Sequence, residues 1–393
     1  MMIMAVGWQV YHITGRVLDL GLIGLSQFLP FLCLALFSGH VADQFDRRLI
    51  MLLGHCSYAL CALLLLYFAW QGTGTLPIFS VLGILGVTRA FQLPASQSFV
   101  PTIVPAASLS SALAVNSSAN QVAVIVGPSV GGIIYALAEA NFGRNSGAPV
   151  VYGAATALLL AAILLVGLIA RRRRISSRSS LSWKALLQGL RFVWHRKTVL
   201  GAISLDLFAV LFGGATALLP AYTRDVLHAG PEAFGYLRAA PGVGAGVMAL
   251  WLAFRPISRH VGAKMFGGVF AFGIATVVLG LTHVFWVAMI ALAVLGVGDM
   301  ISVFVRSLLV QLQTPDEIRG RVSAVNSVFI GASNELGEFE SGATAAWFGL
   351  VPAIVLGGLA TILVTVLWSR VFFPQLWRMQ TFKHFEVYEA DAT

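Results

Sequence analysis

Three carboxylates, Glu335, Glu338 and Glu340, fall inside the stretch Gly331-Ala-Ser-Asn-Glu-Leu-Gly-Glu-Phe-Glu-Ser-Gly342, which otherwise reads as a membrane-crossing helix. An ionisable side chain in hydrocarbon costs about 3 kcal/mol or more, so one is kept there mainly when it works or is paired. The chemistry open to such a group is proton exchange. Desolvation and a nearby arginine pull a buried carboxyl in opposite directions, and a change in either lets it load or release a proton. The structural alternative is an ion-pair or hydrogen-bond network holding the helix, with Asn334 as a member. At 100° per residue, Glu340 points roughly 140° away from Glu335 and has a separate role. Of the three, Glu338 is the leading proton carrier and Glu335 its companion.

The elements that position these acids are apolar. Hydrophobic residues make up 58% of the 393-residue chain and charged ones only 10%. A soluble domain carries about 25% charged residues, so the composition is that of a membrane protein. Runs at 18–40, 49–70, 76–98, 115–138, 150–170, 198–221, 232–254, 263–282, 286–310, 323–347 and 349–372 are each long enough to cross a ~30 Å hydrocarbon core. A shorter run at residues 1–13 is the first, partial span, so the chain is expected to begin inside its first helix. A net charge of +9 would suggest nucleic acid in a soluble protein, but here the charges sit in short loops between spans and no nucleic-acid partner is expected. With loops placed alternately, 19 of the 25 basic residues fall on one side, three (Arg16, Arg144, Arg224) on the other and three within spans. That asymmetry makes the first side cytoplasmic, the C-terminal tail included.

The remaining intramembrane charges are unevenly placed. They are Arg89 on the fourth span, Asp206 on the seventh, Arg238 on the eighth, and Asp299 and Arg306 on the tenth. The third, sixth, ninth and twelfth spans carry none between their ends. Asp299 and Arg306 are seven residues apart, two turns on one helix face. Arg306 has Glu335 and Asp206 as candidate partners, and the sequence does not choose. Cys33, Cys56 and Cys61 show no metal or redox spacing and read as packing residues, as do His12 and His55. No metal site or cofactor is expected.

The chain also repeats. Pro105, Ala114-Val-Asn-Ser117, Gly127 and Gly132 recur at Pro315, Ala324-Val-Asn-Ser327, Gly337 and Gly342, an offset of 210. Tyr11, Gly24, Pro30 and Arg48 recur at Tyr222, Gly235, Pro241 and Arg259, an offset of 211. Two parallel six-helix repeats are one construction of secondary transporters, with the substrate site between them. The expected organisation is an N-terminal half at 1–170, a cytoplasmic linker at 171–197, a C-terminal half at 198–372 and a cytoplasmic tail at 373–393. The Arg171–Arg174 run in the linker reads as a topology signal in preference to lipid head-group recognition.

Several motifs resemble a known family. Gly39-His-Val-Ala-Asp43-Gln-Phe-Asp46-Arg47-Arg48 looks like the cytoplasmic loop signature of the major facilitator superfamily, with Gln44 standing where the family usually has arginine. The resemblance implies a latch in which Asp43 pairs with Arg47 or Arg48 in one state only. The alternative is that both arginines are topology charges. Gly127-Pro128-Ser-Val-Gly131-Gly132 on the fifth span is similar to the motif of the superfamily's antiporter branches, against a reading as ordinary glycine packing. The stretches Gly298–Arg306 and Gln311–Ser327, including Arg319 and Arg321 of a second gating loop, resemble the enterobactin-exporter-like, or transmembrane secretion effector, branch.

The resemblance implies an all-α major facilitator fold, with the charged spans lining a central cavity and the uncharged ones facing lipid. It also implies a monomeric bacterial inner-membrane protein. The function expected is proton-coupled efflux of a small amphipathic molecule, a siderophore-like metabolite or a drug, powered by the proton gradient. An importer or uniporter is the transport alternative, and a non-transporting membrane sensor or scaffold the alternative of another class. No Ser/His/Asp arrangement, metal cluster or phosphate loop suggests an enzyme.

Overall fold

A computed structural model describes residues 1–105, 108–143, 145–169, 183–315 and 318–382. Among these residues every regular element is helical: α1 (Met2–Thr14), α2 (Val17–Gln44), α3 (Arg47–Gln71), α4 (Thr75–Ile103), α5 (Leu109–Phe142), α6 (Gly147–Leu168), α7 (Trp183–His195), α8 (Lys197–Phe212), α9 (Leu219–Ala221), α10 (Pro231–Phe254), α11 (Val261–Leu281), α12 (Phe285–Gln313), α13 (Arg319–Phe348), α14 (Leu350–Leu367) and α15 (Pro374–Trp377). The eleven long runs and the partial first span all fall on helices, with the run at 198–221 interrupted at Gly213 and Gly214. Boundaries differ mainly because helices such as α2, α4 and α5 run past the apolar core into polar flanks. Ten stretches among the described residues are long and apolar enough to cross a membrane. Helix α13, 30 residues long, is not one of them, because its three glutamates and its asparagines dilute its apolar content.

Helix ends follow local chemistry. Asp46 caps α3 by accepting from the Arg48 backbone N–H at 3.0 Å. Gly15 and Gly72 end α1 and α3 in the left-handed conformation that a side chain disfavours. Pro30, Pro128 and Pro241 lie inside α2, α5 and α10, each removing a backbone donor from its span.

The chain divides into two compact units, Met1–Leu181 with Leu219–Ala239, and Ser182–Leu218 with Ala240–Thr393. In the first, α2 packs on α4, α3 lies against α4 and α6, and α1 touches α2, α5, α6 and α9. In the second, α11 packs on α12 and α14, and α13 touches α7, α8 and α14. Its core gathers Leu205, Ala209, Val261, Met265, Phe266, Val305 and Leu309 with Leu376 and Met379 from beyond the last span. Residues past α14 therefore do not simply trail away. The backbone of Met379 accepts from the Gly262 N–H at 3.0 Å, clasping this segment to the start of α11.

The uncharged spans show their environment directly. On α11, Phe270, Ile274, Val278 and Leu281 are exposed at spacings of three and four, and on α14 so are Leu356, Leu359, Leu363 and Val366. Helices α3 and α6 carry similar exposed leucines. An outward apolar stripe at helical period is a lipid-facing surface. Trp70, Trp286 and Trp347, each exposed at a helix end, fit the interfacial aromatic belt.

Candidate functional site

The second unit gathers most of the intramembrane charge. Asp206 on α8 and Arg306 on α12 form a buried ion pair in which Arg306 Nη1 donates to Asp206 Oδ2. Both residues are almost wholly enclosed, at 4% and 2% exposure. The sequence left Arg306 with two candidate partners, and the structure pairs it with Asp206. Arg306 Nε is also buried and makes no hydrogen bond. Asp299, two turns before Arg306, lies within electrostatic reach of both members of the pair. One guanidinium thus pairs with Asp206 and lies in the electrostatic surroundings of Asp299.

Helix α13 brings its acids to a break in the seventh span. Helix α8 stops at Phe212, Gly213 and Gly214 interrupt it, and the span resumes as a 3-10 turn at Ala215–Leu218, then α9, then a π turn at Tyr222–Val226. The approach at the break is too close for side chains. A Cβ on Gly337 would stand 2.8 Å from the Val210 carbonyl oxygen and 3.0 Å from that of Leu211. A Cβ on Gly214 would stand 2.5 Å from the Gly337 carbonyl oxygen and 2.8 Å from Ser341 Oγ. Glu335 is buried and Glu338 half-buried, so the two acids bracket this contact along the helix. Interrupted spans free backbone carbonyls that a continuous helix would use, and such breaks recur where transporters hold charge. Glu340 is engaged differently, accepting from Thr344 Oγ1 at 2.7 Å one turn along its own helix. That bond satisfies one of its oxygens locally.

The first unit holds the other charges and the fifth-span motif. Arg89 lies over the Phe31 ring, 5.6 Å from its centroid, and Arg238 is half-buried on the first part of α10. Gly132 meets Gly235: a Cβ on Gly132 would stand 2.6 Å from the Pro231 carbonyl oxygen, and one on Gly235 2.7 Å from that of Pro128. Gly127 and Gly131 instead approach Met1 at the start of α1. The motif residues therefore act as the contact surface of α5, with Gly132 on α10 and Gly127 and Gly131 on α1. Beside them, the Tyr11 hydroxyl donates to Asp225, Arg224 lies over the Tyr11 ring at 5.6 Å, and Trp8 stacks on Phe234 at 5.8 Å. The repeat matched Tyr11 to Tyr222, and nothing in the sequence singled out Asp225 as its partner.

The two loops expected to gate are described in part. Arg48 donates through Nε to the Val166 carbonyl at 3.2 Å and through Nη2 to that of Gly167. It thereby ties the start of α3 to the last carbonyls of α6, where a cation is favoured. Asp46 serves as the α3 cap, and Arg47 is half-buried beside it. Arg321 donates to Gln188 Oε1 on α7. The side chains of Asp43 and Arg319 lie outside the described residues, as do the surroundings of Gly39, all of Arg144, and the arginine run at 171–174. Among the described residues, no group of three or more His, Cys, Asp or Glu side chains could hold a metal ion.

A family model described as a transmembrane secretion effector matches residues 1–390. The chain belongs to that family. It is a major facilitator superfamily transporter and a multi-pass membrane protein. It is 27% identical over 392 residues to the multidrug efflux pump Tap of Mycolicibacterium fortuitum, covering 95% of this chain and 91% of that one. It is 23% identical over 367 residues to the staphyloferrin A transporter of Staphylococcus aureus, covering 91% and 89%. Among solved structures it is similar to a bacterial homologue of the human lysosomal transporter Spinster, with a TM-score of 0.71 at 14% identity over 96% and 94% of the two chains. The xylose transporter XylE from E. coli gives a TM-score of 0.67 at 13% identity over 98% and 96%. At these identities the structural neighbours speak to the fold alone.

Two features of the site escaped the sequence reading. The seventh-span break was marked by the Gly213-Gly214 pair, with Pro220 one and a half turns further on, but the run around it is apolar enough to pass as continuous helix. The sharing of Arg306 between Asp206 and Asp299 needed the relative rotation of α8 and α12, which periodicity within one helix does not contain.

Proposed function

We propose that this transporter exports a small amphipathic molecule, a siderophore-like metabolite or a drug, across the bacterial inner membrane in exchange for protons. The observation that carries the reading is the placement of Glu335 and Glu338 on either side of the close contact between Gly337 and the break in the seventh span. A change in how α13 and α8 meet there would alter the water and the carbonyls around both acids, which is how a carboxyl is made to load and release a proton. Glu338, the less enclosed of the two, is the proposed proton carrier. Glu335 shares the proton or contacts substrate. The Asp206–Arg306 pair with Asp299 balances charge in the same unit, and Arg89 and Arg238 are proposed cavity cations of the first unit. Glu340, tied to Thr344, supports the helix. Asp43 with Arg47 or Arg48 remains the proposed latch between the second and third spans. The protein works as a monomer with its C-terminus in the cytoplasm and needs no cofactor beyond the proton gradient. The efflux functions named for Tap and for macrolide efflux protein A of Streptococcus pyogenes support the outward direction.

The test is flux in proteoliposomes of the purified chain, with ethidium as a cationic amphipathic probe and an imposed pH gradient. Antiport predicts that protons flowing down their gradient drive the dye the opposite way. Dye moving with the protons would refute antiport in favour of an importer, and no gradient-dependent flux with a panel of such probes would favour a sensor or scaffold.

A further inference from the structure

Helix α7 precedes the seventh span and is divided lengthwise into three faces. One face packs on protein. Val193 is buried in a cluster with Val199, Ile203, Val310, Val322 and Val325, and a Cβ on Gly189 would stand 2.9 Å from the Arg321 carbonyl oxygen of α13. Leu190 and Trp194, one turn apart, point elsewhere and are 39% and 68% exposed. The third face is polar: Arg191 and His195 are exposed there. Arg196 and Lys197, both exposed, follow at the junction with α8.

That junction places the helix. Only Arg196, with φ −94° and ψ 89°, separates α7 from the membrane span that begins with α8, and the buried face of α7 seats on the first turns of α8 and α13. A helix held at the end of two spans, carrying a tryptophan-and-leucine stripe beside a basic face, matches an interfacial helix in amphipathic pattern and in location. A protein partner would be met by a stripe without a basic margin as readily as by this one. The flanking positive charge selects an anionic occupant.

We propose that α7 is a lipid-binding element: its Leu190 and Trp194 stripe lies in the acyl–headgroup boundary and Arg191, with Arg196 and Lys197 at the junction, engages anionic phospholipid. Because Gly189 and Gln188 grip the Arg321 turn of α13, lipid bound along α7 bears on the inner end of the helix that carries Glu335 and Glu338.

The test uses the full chain with Cys33, Cys56 and Cys61 replaced and a nitroxide attached through Trp194→Cys or, separately, Arg191→Cys. Each is reconstituted in nanodiscs of phosphatidylcholine with increasing phosphatidylglycerol. Position 194 is exposed, so its labelling leaves the core intact. The expected result is that a label at 194 relaxes faster with oxygen, the apolar quencher, whereas one at 191 responds to a water-soluble nickel chelate. Adding Arg191→Gln to the 194-labelled chain should raise the phosphatidylglycerol fraction needed for half-maximal immersion about fivefold, the effect of one basic residue near an anionic surface. Nickel accessibility at 194 equal to that at 191 would overturn the membrane contact, and immersion indifferent to phosphatidylglycerol would overturn the recognition of anionic lipid. Neither readout depends on transport, so failure here is distinguishable from failure of the exporter reading.

Discussion

Replacing Arg306 tests whether one guanidinium serves two acids. Arg306→Met keeps much of the side-chain volume and removes the charge. Asp206 then loses its arginine donor inside a site where it is 4% exposed, and Asp299 loses the neighbouring cation. Stranding one partner of a buried ion pair costs about 3–5 kcal/mol. Here the two carboxylates also face each other without a counter-charge, so the loss belongs at the upper end. Asp206→Asn is different. Arg306 keeps Asp299 as counter-ion and gains an amide oxygen as acceptor, so the cost is that of a weakened charged hydrogen bond, about 1–2 kcal/mol. The double variant Asp206→Asn with Arg306→Met leaves a single acid and no repulsion, and falls between the two.

The order expected is therefore wild type, Asp206→Asn, the double variant, then Arg306→Met. Heating detergent-solubilised protein and following the monomer peak by size-exclusion chromatography measures it. Equal losses for Asp206→Asn and Arg306→Met would refute the argument, because they would mean that Asp299 does not share the arginine. A double variant less stable than either single would refute it as well, since removing both charges would then be adding cost where the pair was supposed to be compensating it.

Glu338→Gln should abolish proton-driven flux while the protein still expresses and folds, and normal coupling in proteoliposomes would remove Glu338 as proton carrier. Gly132→Val places a Cβ 2.6 Å from the Pro231 carbonyl oxygen and should destabilise the α5–α10 contact by about 1–3 kcal/mol, read as a lowered thermal midpoint. The companion Gly167→Ala, which meets nothing within 4 Å, should leave that midpoint unchanged. Arg48→Gln frees the Val166 and Gly167 carbonyls and should cost about 1–2 kcal/mol, with Arg48→Lys recovering part of it because the ammonium can still reach one carbonyl.

The sequence made the membrane class, the spans and the uncharged lipid-facing helices legible, since each rests on a property of one helix at a time. Asp299 and Arg306 could be placed on one face because they share α12. The partner of Arg306 sits on α8, about 100 residues away, and its position depends on how two helices are rotated against each other. For the same reason the Tyr11–Asp225 bond was invisible, and so was the grip of Arg48 on α6. The residues beyond α14 carried a further lesson. Leu376 and Met379 looked like part of a polar tail by composition, yet they fill the core beside Val261 and Met265 because a backbone clasp brings them there.

The internal repeat gives the deepest connection between chain and site. At an offset of 210, Gly127 corresponds to Gly337 and Gly131 to Ser341; at 211, Met1 corresponds to Phe212. The contacts follow the same correspondence. Gly127 and Gly131 approach Met1 of α1, while Gly337 meets the end of α8 at Val210 and Leu211, and Ser341 faces Gly214. Each half thus uses a small residue at the same slot to bring its fifth helix against its first. What differs is the neighbour of that slot. In the first half it is Pro128, which shapes the helix by removing a donor; in the second it is Glu338, which adds a titratable group. A close backbone contact leaves little room for a large side chain to shield its neighbour, so an acid placed there experiences any change in the contact directly. The repeat therefore sets Glu338, the proposed proton carrier, next to the glycine that brings α13 against the end of α8, where a small relative motion changes the surroundings of a charge.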